Sequence, residues 1–283
     1  MNRVETDGKQ IAEPRPIGPP KSVIREYFES FVVTLIMAIF GMTFILQAVT
    51  VPTGSMQNTI LVGDYLLVNK FIFAPSGNPL RFLPQREIKR GDIIVFKYPG
   101  YPENTAKVED NGGIPYQINF VKRVIGLPGD KVELRNNQVY INDQLLPEHR
   151  VTADLPVDRR GRENNESALI VKSEEPRQEN QAYSTYYSED TMEAAAQGQP
   201  TSERFRFGGQ GSPATIVPEN SYFVLGDSRD KSLDSRFWGF VPRELVVGRA
   251  MFVYWSCDRA ASNGSMLGCI TNPRLDRIGK MIK

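Results

Sequence analysis

The chain has 283 residues, and its 34 basic and 33 acidic side chains leave a formal charge of +1. This balance argues against a nucleic acid as partner. The two cysteines, Cys257 and Cys269, show no CxxC spacing and have no histidine beside them, so they do not indicate a zinc site; a disulfide and two unpaired thiols both remain open.

An uncharged segment dominates the N-terminal part of the sequence. No Asp, Glu, Lys or Arg occurs from Ser30 to Gly63, and within this stretch Phe31–Val49 is apolar and long enough to cross a hydrocarbon core of about 30 Å as a helix. We therefore predict a transmembrane helix over 31–49 after a polar, proline-containing tail over 1–30. A buried core helix and a cleaved secretory signal, whose apolar part spans roughly 7–15 residues, are the alternatives.

Basic residues are concentrated before this apolar segment. Five precede its start: Arg3, Lys9, Arg15, Lys21 and Arg25. The first basic residue after it is Lys70. The positive-inside rule then predicts a cytoplasmic N-terminus and an extracytoplasmic location for everything from about Thr50 onward.

Short runs rich in β-branched and aromatic residues follow, and each is typical of a strand. They are Tyr65–Phe73, Asp92–Tyr98, Tyr116–Ile125, Ser221–Leu225 and Leu245–Trp255. Lys131–Asn142 predicts a hairpin that turns at Asn136 and Asn137. We predict a mainly β fold, with one transmembrane helix followed by an all-β extracytoplasmic domain over 50–152 and 214–272.

The apolar alternation stops between residues 153 and 213, where Asp, Arg, Glu, Gln and Ser dominate. We predict a smaller inserted β region here, partly mobile, with a strand near Ala168–Lys172. The last segment, 273–283, is basic and is predicted to be a weakly ordered tail.

A serine lies just after the apolar segment, in the run Pro52–Met56. Gly54 favours a tight bend that exposes the Ser55 hydroxyl, although an ordinary loop leaving a helix has the same pattern. A serine hydroxyl needs a base to remove its proton. The single histidine, His149, lies in a polar run that predicts a solvated loop, so the pattern disfavours a Ser-His-Asp triad and favours a lysine as base.

The candidate base is a lysine on an apolar strand face. Alternation places Lys122 on the same face as Phe120 and Val124, with Val121 and Arg123 on the other. Burial disfavours the charged amine, so its pKa falls and a neutral base becomes available near neutral pH. The alternative is a surface lysine that reaches water. Arg123 is predicted to be a solvated or structural charge.

Carboxylates, guanidiniums and hydroxyls are concentrated between Gly226 and Gly239. Such a segment can be held rigid by bidentate ion pairs. The candidate pairs are Asp234 with Arg236 and Asp227 with Arg229. A calcium loop is the rival interpretation, but the EF-hand spacing and its terminal Glu are missing. We predict a structural role, with Ser232 placed to orient the lysine.

Taken in this order after an N-terminal anchor, these segments resemble bacterial type I signal peptidase (leader peptidase), a serine peptidase of family S26. The matching motifs are the run Pro52–Met56, the strand Gly63–Lys70, the strand at Gly91-Asp92, the lysine run ending at Gly126–Asp130, and the turn Gly226–Gly239. The resemblance implies a single-pass enzyme of the bacterial inner membrane that removes signal peptides from exported preproteins after small residues, at Ala-x-Ala type sites. It implies contact with membrane lipid, and neither cofactor nor metal.

The same resemblance implies the roles of the site residues. Ser55 would be the nucleophile and Lys122 the general base, while the Thr53 hydroxyl and the Ser55 N–H would form the oxyanion hole. The supporting residues would be Ser232, which hydrogen-bonds the lysine, and Asp234 and Arg236, which stabilise the site. The chain departs from the family at Gln57-Asn58, where a Met-Pro or similar pair is common, and this leaves the substrate fit near Gln57 open.

Two other classes of function compete with the peptidase. A noncatalytic anchored β-domain that binds envelope partners would leave Lys122 with an ordinary pKa. A soluble Ser-Lys self-cleaving repressor would share the catalytic pair, but the spanning segment and the missing DNA-binding helix pair argue against it.

Overall fold

The computed structural model describes residues 22–74, 84–100, 116–157, 163–164, 166–199, 205–209, 213–259 and 265–283. Most of the predicted N-terminal tail, residues 1–21, and parts of the predicted insertion lie outside these ranges. Contacts divide the chain into two units, Met1–Gly41 and Met42–Lys283.

Helix α1 (Val23–Phe40) begins at Ser22, whose side chain accepts a hydrogen bond from the Arg25 N–H, and it continues as a π-helical turn over Gly41–Ile45. Val23–Ile45 is the one helical segment of the described chain that is long and apolar enough to cross a membrane. At 1.5 Å per residue its length is about 35 Å. The helix begins before the predicted bounds 31–49, and residues 46–49 of that range pair with a strand instead of continuing the helix.

A seven-stranded antiparallel sheet is the centre of the second unit. We number strands in chain order; their spatial order is β1 (Leu46–Thr50), β2 (Asp64–Asn69), β14 (Val246–Ser256), β3 (Ile93–Lys97), β4 (Asn119–Gly126), β12 (Ser221–Leu225) and β13 (Val241–Pro242). Each strand predicted from β-branched and aromatic runs overlaps one of these. The mainly β fold is therefore confirmed.

A four-stranded sheet contains the predicted hairpin. Its order is β11 (Thr215–Ile216), β5 (Lys131–Arg135), β6 (Gln138–Ile141) and β7 (Gln144–Leu145). Asn136 and Asn137 occupy the turn with φ of 48° and 59°, the left-handed values that a two-residue hairpin turn requires. The predicted turn is confirmed.

The predicted insertion contains a smaller sheet of three strands. Their order is β10 (Ser184–Tyr187), β8 (His149–Asp154) and β9 (Ile170–Glu174), with β10 parallel and β9 antiparallel to β8. Helix α2 (Glu189–Ala196) follows β10. The sheet begins before the predicted boundary at 153, and β9 lies slightly C-terminal to the strand predicted at Ala168–Lys172.

The predicted solvated loop around His149 is wrong. His149 starts β8 on its buried face, with 6% of its surface exposed. Its ring nitrogens contact Ser184 Oγ at 2.9 Å and the Glu175 carbonyl at 2.7 Å. Because a carbonyl only accepts, Nε2 donates to the Glu175 carbonyl. Both ring nitrogens therefore have partners near the smaller sheet, and neither forms a hydrogen bond with Ser55.

The C-terminal segment is ordered, contrary to the predicted weakly ordered tail. Arg277 pairs with buried Asp64, Nε to Oδ1 at 3.0 Å and Nη2 to Oδ2 at 2.5 Å. Ile282 is buried, and its N–H donates to the Met251 carbonyl of β14. Upstream, Cys257 and Cys269 form a disulfide that links the short helix Met266–Thr271 to the end of β14.

Candidate active site

The serine predicted as nucleophile lies in a tight turn after β1. The Gln57 N–H donates to the Gly54 carbonyl at 3.0 Å, and the Ile60 N–H donates to the Met56 carbonyl at 2.7 Å. Met56 and Ile60 are buried in the core, with exposed fractions of 1% and 0%. The turn is therefore closed across Ser55 and anchored in the core by the residues that follow it.

Lys122 of β4 reaches this serine. Its Nζ lies 2.6 Å from Ser55 Oγ and 3.2 Å from the Val121 carbonyl. The lysine is 3% exposed and packs beside the Phe120 ring. The alternative of a solvated surface lysine is therefore wrong.

The surroundings of Lys122 favour its neutral form. The pKa of Lys122 is lowered from its ordinary 10.5 to about 8. Burial is the main cause and Arg236 adds to it, while Asp234 and Asp227 act in the opposite direction. An amine with a pKa near 8 has a substantial neutral fraction at physiological pH. Its geometry and its protonation equilibrium both suit a general base.

Asp234 and Arg236 form a buried bidentate pair, as predicted from their spacing. Arg236 Nε lies 2.8 Å from Asp234 Oδ1, and Nη2 lies 2.9 Å from Oδ2. Burial alone would raise the pKa of Asp234, but the charge and hydrogen bonds of Arg236 outweigh it, and the net pKa is lowered. Asp234 Oδ2 also accepts from the Gly226 N–H at 3.0 Å, which connects the pair to the end of β12.

The predicted pair of Asp227 with Arg229 is wrong, since Asp227 pairs with Arg123. Arg123 Nε and Nη2 lie 2.8 and 2.7 Å from the two Asp227 oxygens. Thr59 of the nucleophile turn donates its hydroxyl to the same carboxylate at 2.7 Å. Because Arg123 follows Lys122 directly, this ion pair connects the lysine strand to the turn that carries Ser55.

Arg229 instead forms a buried ion pair with Glu148, a residue that the sequence did not single out. Arg229 Nη1 lies 3.0 Å from Glu148 Oε2, and Nε donates to the Gly226 carbonyl at 3.0 Å. The Tyr183 hydroxyl donates to Glu148 Oε1 at 2.8 Å. Glu148 was missed because it lies in a polar run without apolar alternation.

The predicted hydrogen bond between Ser232 and Lys122 is not formed. Ser232 is buried, and its Oγ has no hydrogen-bond partner among the described residues, although it lies close enough to Asp234 to lower that pKa. A Cβ on Gly226 would lie 2.2 Å from Ser232 Oγ and 2.5 Å from the Ser55 carbonyl. Only glycine allows these three segments to approach so closely. The supporting role of Ser232 stays a prediction.

A cavity of about 340 Å³ opens beside Ser55 and Lys122. Most of its lining is apolar and includes Val49, Val51, Ile60, Phe120, Val121 and Leu233. The exposed Thr53 also borders it. The Ser55 N–H donates to no acceptor in the described part of the chain. This cavity therefore offers apolar walls, a serine, an amine and free donors at one place. Within the same ranges, no group of three His, Cys, Asp or Glu residues could hold a metal ion.

The family profile described as "Signal peptidase, peptidase S26" matches residues 24–255. The chain belongs to this signal peptidase family. A signal peptidase I of Aquifex aeolicus is 31% identical over 286 residues. One of Buchnera aphidicola subsp. Baizongia pistaciae is 31% identical over 282 residues. These alignments cover 90% of this chain in both cases, 97% of the Aquifex protein and 82% of the Buchnera protein. A signal peptidase I of Pseudomonas aeruginosa is 30% identical, with 87% of this chain and 79% of the relative covered.

The resemblance read from the five motifs is thereby confirmed, and the chain is an S26 signal peptidase, a hydrolase. Membership of the signal peptidase family together with one apolar N-terminal helix fits a single-pass membrane protein. A solved signal peptidase I of Enterococcus faecalis is 28% identical and covers 58% of this chain and 97% of its own, with a TM-score of 0.27. The fold described above rests on the chain's own structure.

Proposed function

We propose that this signal peptidase is a membrane-anchored Ser-Lys endopeptidase that cuts exported preproteins after small residues, at Ala-x-Ala type sites. The observation that carries the proposal is the distance of 2.6 Å between Lys122 Nζ and Ser55 Oγ in a buried site. A buried lysine with a pKa of about 8 can act as the base that the serine needs.

In the proposed reaction, neutral Lys122 takes the proton of Ser55 as the oxygen attacks the carbonyl carbon before the cut. The Ser55 N–H and the Thr53 hydroxyl then stabilise the oxyanion, and loss of one such donor costs about 3 kcal/mol. The Lys122 ammonium returns the proton to the leaving amine, and the carbon–nitrogen bond breaks. Lys122 next takes a proton from water as the water oxygen attacks the ester carbon. The bond from that carbon to Ser55 Oγ then breaks, Lys122 returns the proton to Ser55 Oγ, and the signal peptide leaves with a free carboxylate.

The remaining predicted residues support this chemistry from outside the reacting atoms. Asp234 and Arg236 hold the Gly226 backbone, against which the Ser55 carbonyl lies. The Ser228 N–H donates to that carbonyl at 3.1 Å. We assign Asp234 and Arg236 to positioning of the nucleophile turn, with Ser232 beside them.

The substrate is proposed to bind as an extended segment. Such peptides pair with an exposed strand edge, and alternate side chains enter pockets on one face. β1 is an edge strand of the main sheet, and its Val49 lines the cavity beside Ser55. Apolar walls and limited volume favour small apolar side chains near the cut.

We further propose a bacterial inner-membrane location with a cytoplasmic N-terminus. Its support is the five basic residues between Arg3 and Arg25 and the absence of basic residues from there to Lys70. We propose a catalytic domain over 50–152 and 214–283, with the inserted region at 153–213. The C-terminal segment joins the catalytic domain because Ile282 packs in its core with Met56 and Ile60.

The test uses the full chain in detergent micelles and a preprotein with one Ala-x-Ala site. We expect a single cut after the second Ala, identified by the masses of both products, and no cut when Phe replaces that Ala. Protein carrying Ser55→Ala controls for contaminating proteases. Cuts at unrelated positions would contradict the specificity, and no product from several preproteins would contradict the activity.

The pH dependence of kcat/KM should follow the deprotonation of Lys122. Since burial lowers the pKa of Lys122 to about 8, the active neutral form increases as pH rises, and we expect a rising limb with a midpoint near 8. The measurement is kcat/KM for one peptide between about pH 6 and 10. A flat profile, or one that is still rising at pH 10, would contradict the role of Lys122 as the base.

A further inference from the structure

The segment before β9 lies against the turn that carries Ser55. Gln57 Nε2 donates to the Ser167 carbonyl at 2.7 Å. Asn58 Oδ1 accepts from the Leu169 N–H at 2.9 Å, and its Nδ2 donates to the Leu169 carbonyl at 3.3 Å. Two consecutive amide side chains, two and three positions after the serine, therefore hold the backbone of the predicted insertion.

The local backbone accommodates these two amides. Gln57 is 1% exposed, and a Cβ on Gly54 would lie 2.6 Å from its amide group, so the Gln57 side chain occupies space that only a glycine leaves free. Asn58 has a φ of 68°, a left-handed value that asparagine tolerates better than most residues. A buried amide must be hydrogen-bonded, and here the partners belong to the smaller sheet region.

The smaller sheet also contacts the other half of the site. The Tyr186 N–H of β10 donates to the Asp227 carbonyl at 2.8 Å. Glu148, directly before β8, holds Arg229 in a buried ion pair. One sheet thus contacts both the turn of Ser55 and the turn that follows β12.

We propose that the smaller sheet braces the active site, with Gln57 and Asn58 as the positioning residues that hold the nucleophile turn in place. The inference rests on the proposed Ser-Lys chemistry. Neither amide lines the cavity beside Ser55, so the brace acts on the nucleophile and not on the substrate. A displacement of about 1 Å at a reacting atom can cost about 100-fold in rate. Loosening the brace therefore lowers kcat and leaves KM unchanged.

The test replaces one amide at a time with its isosteric acid. Gln57→Glu and Asn58→Asp preserve shape but place an oxygen where an NH2 group faces a carbonyl. We expect kcat to fall about 10- to 100-fold for Gln57→Glu, with KM within about twofold of wild type. The fall should be smaller for Asn58→Asp, which keeps the bond from the Leu169 N–H.

Asn142→Asp is the matched control. Asn142 has a φ of 52°, accepts from the Lys131 N–H at 2.8 Å and donates to Asp130 Oδ1 at 2.9 Å, all in the hairpin sheet. Its replacement should leave kcat unchanged. Equal losses of kcat in the Asn58 and Asn142 variants would overturn the brace, as would a rise in KM with constant kcat.

Hydrogen exchange separates this inference from the proposed function, because it needs no activity. The amides of residues 56–60 should exchange faster in Gln57→Glu than in wild type and should be unaffected in Asn142→Asp. Unchanged exchange in Gln57→Glu would overturn the brace even if the enzyme is active. If Gln57→Glu exchanges faster but the wild-type protein cleaves no preprotein, the brace is supported and the peptidase chemistry is refuted.

Discussion

Full-length protein carrying Lys122→Met should cleave its preprotein about 10²- to 10⁴-fold more slowly than wild type, as measured by kcat/KM. Methionine fills the buried position of the lysine side chain, but it cannot accept the proton of Ser55. The Ser55 Oγ also loses its contact at 2.6 Å. Cleavage within a few-fold of wild type would contradict the role of Lys122 as base.

The same variant should not be less stable than wild type at pH 7. The pKa of Lys122 is about 8 in the folded protein and lies below its ordinary value of 10.5. Between these two pH values the unfolded chain binds more protons than the folded one. The stability of the wild type therefore rises with pH across that window. The Met variant should lack this rise. Denaturant unfolding at pH 7 and pH 10 measures both effects, and a large loss of stability at pH 7 would show that misfolding explains the lost activity.

Arg123→Met should lower the free energy of unfolding by about 3–5 kcal/mol, because it leaves Asp227 charged and buried without its partner. Both residues are almost fully inaccessible, at 1% and 0% exposure. Denaturant unfolding of the full chain in detergent, followed by fluorescence of buried Trp238, measures the loss. A change below about 1 kcal/mol would contradict a stabilising role for this ion pair.

The double variant Arg123→Met, Asp227→Leu distinguishes the cost of an unpaired buried carboxylate from the cost of losing the ion pair. Replacing both charges removes the unpaired carboxylate, so the double variant should be more stable than Arg123→Met alone. Stability equal to or below that of Arg123→Met would contradict the unpaired carboxylate as the cause of the loss.

The two side chains that we propose to react could be found from local patterns. Ser55 follows an uncharged segment and a glycine, and Lys122 alternates with Phe120 and Val124 along one strand. Strand alternation is a property of consecutive residues, so it predicts which face a side chain occupies without knowledge of the neighbours. The alternation also placed Arg123 on the opposite face of the strand from Lys122, although it left open whether Arg123 is solvated or structural.

The partners of the charged groups could not be found in this way. Asp227 and Arg229 are close in the chain, but Leu225 of β12 lies opposite Arg123 of β4, and this register brings Arg123 to Asp227. The tail predicted over 273–283 was wrong for a similar reason, since the partner of Arg277 is Asp64, far away in the sequence.

The amino-acid sequence by itself determined the apolar helix, the strand content, the Asn136-Asn137 turn and the place of Lys122 on a strand, because each depends on residues a few positions apart. Only the tertiary structure decided that His149 is buried, that Cys257 bonds Cys269, and that Gln57 and Asn58 hold the smaller sheet. These contacts join segments that are separated along the chain, and the register of the strands between them selects one partner among several of equal chemistry.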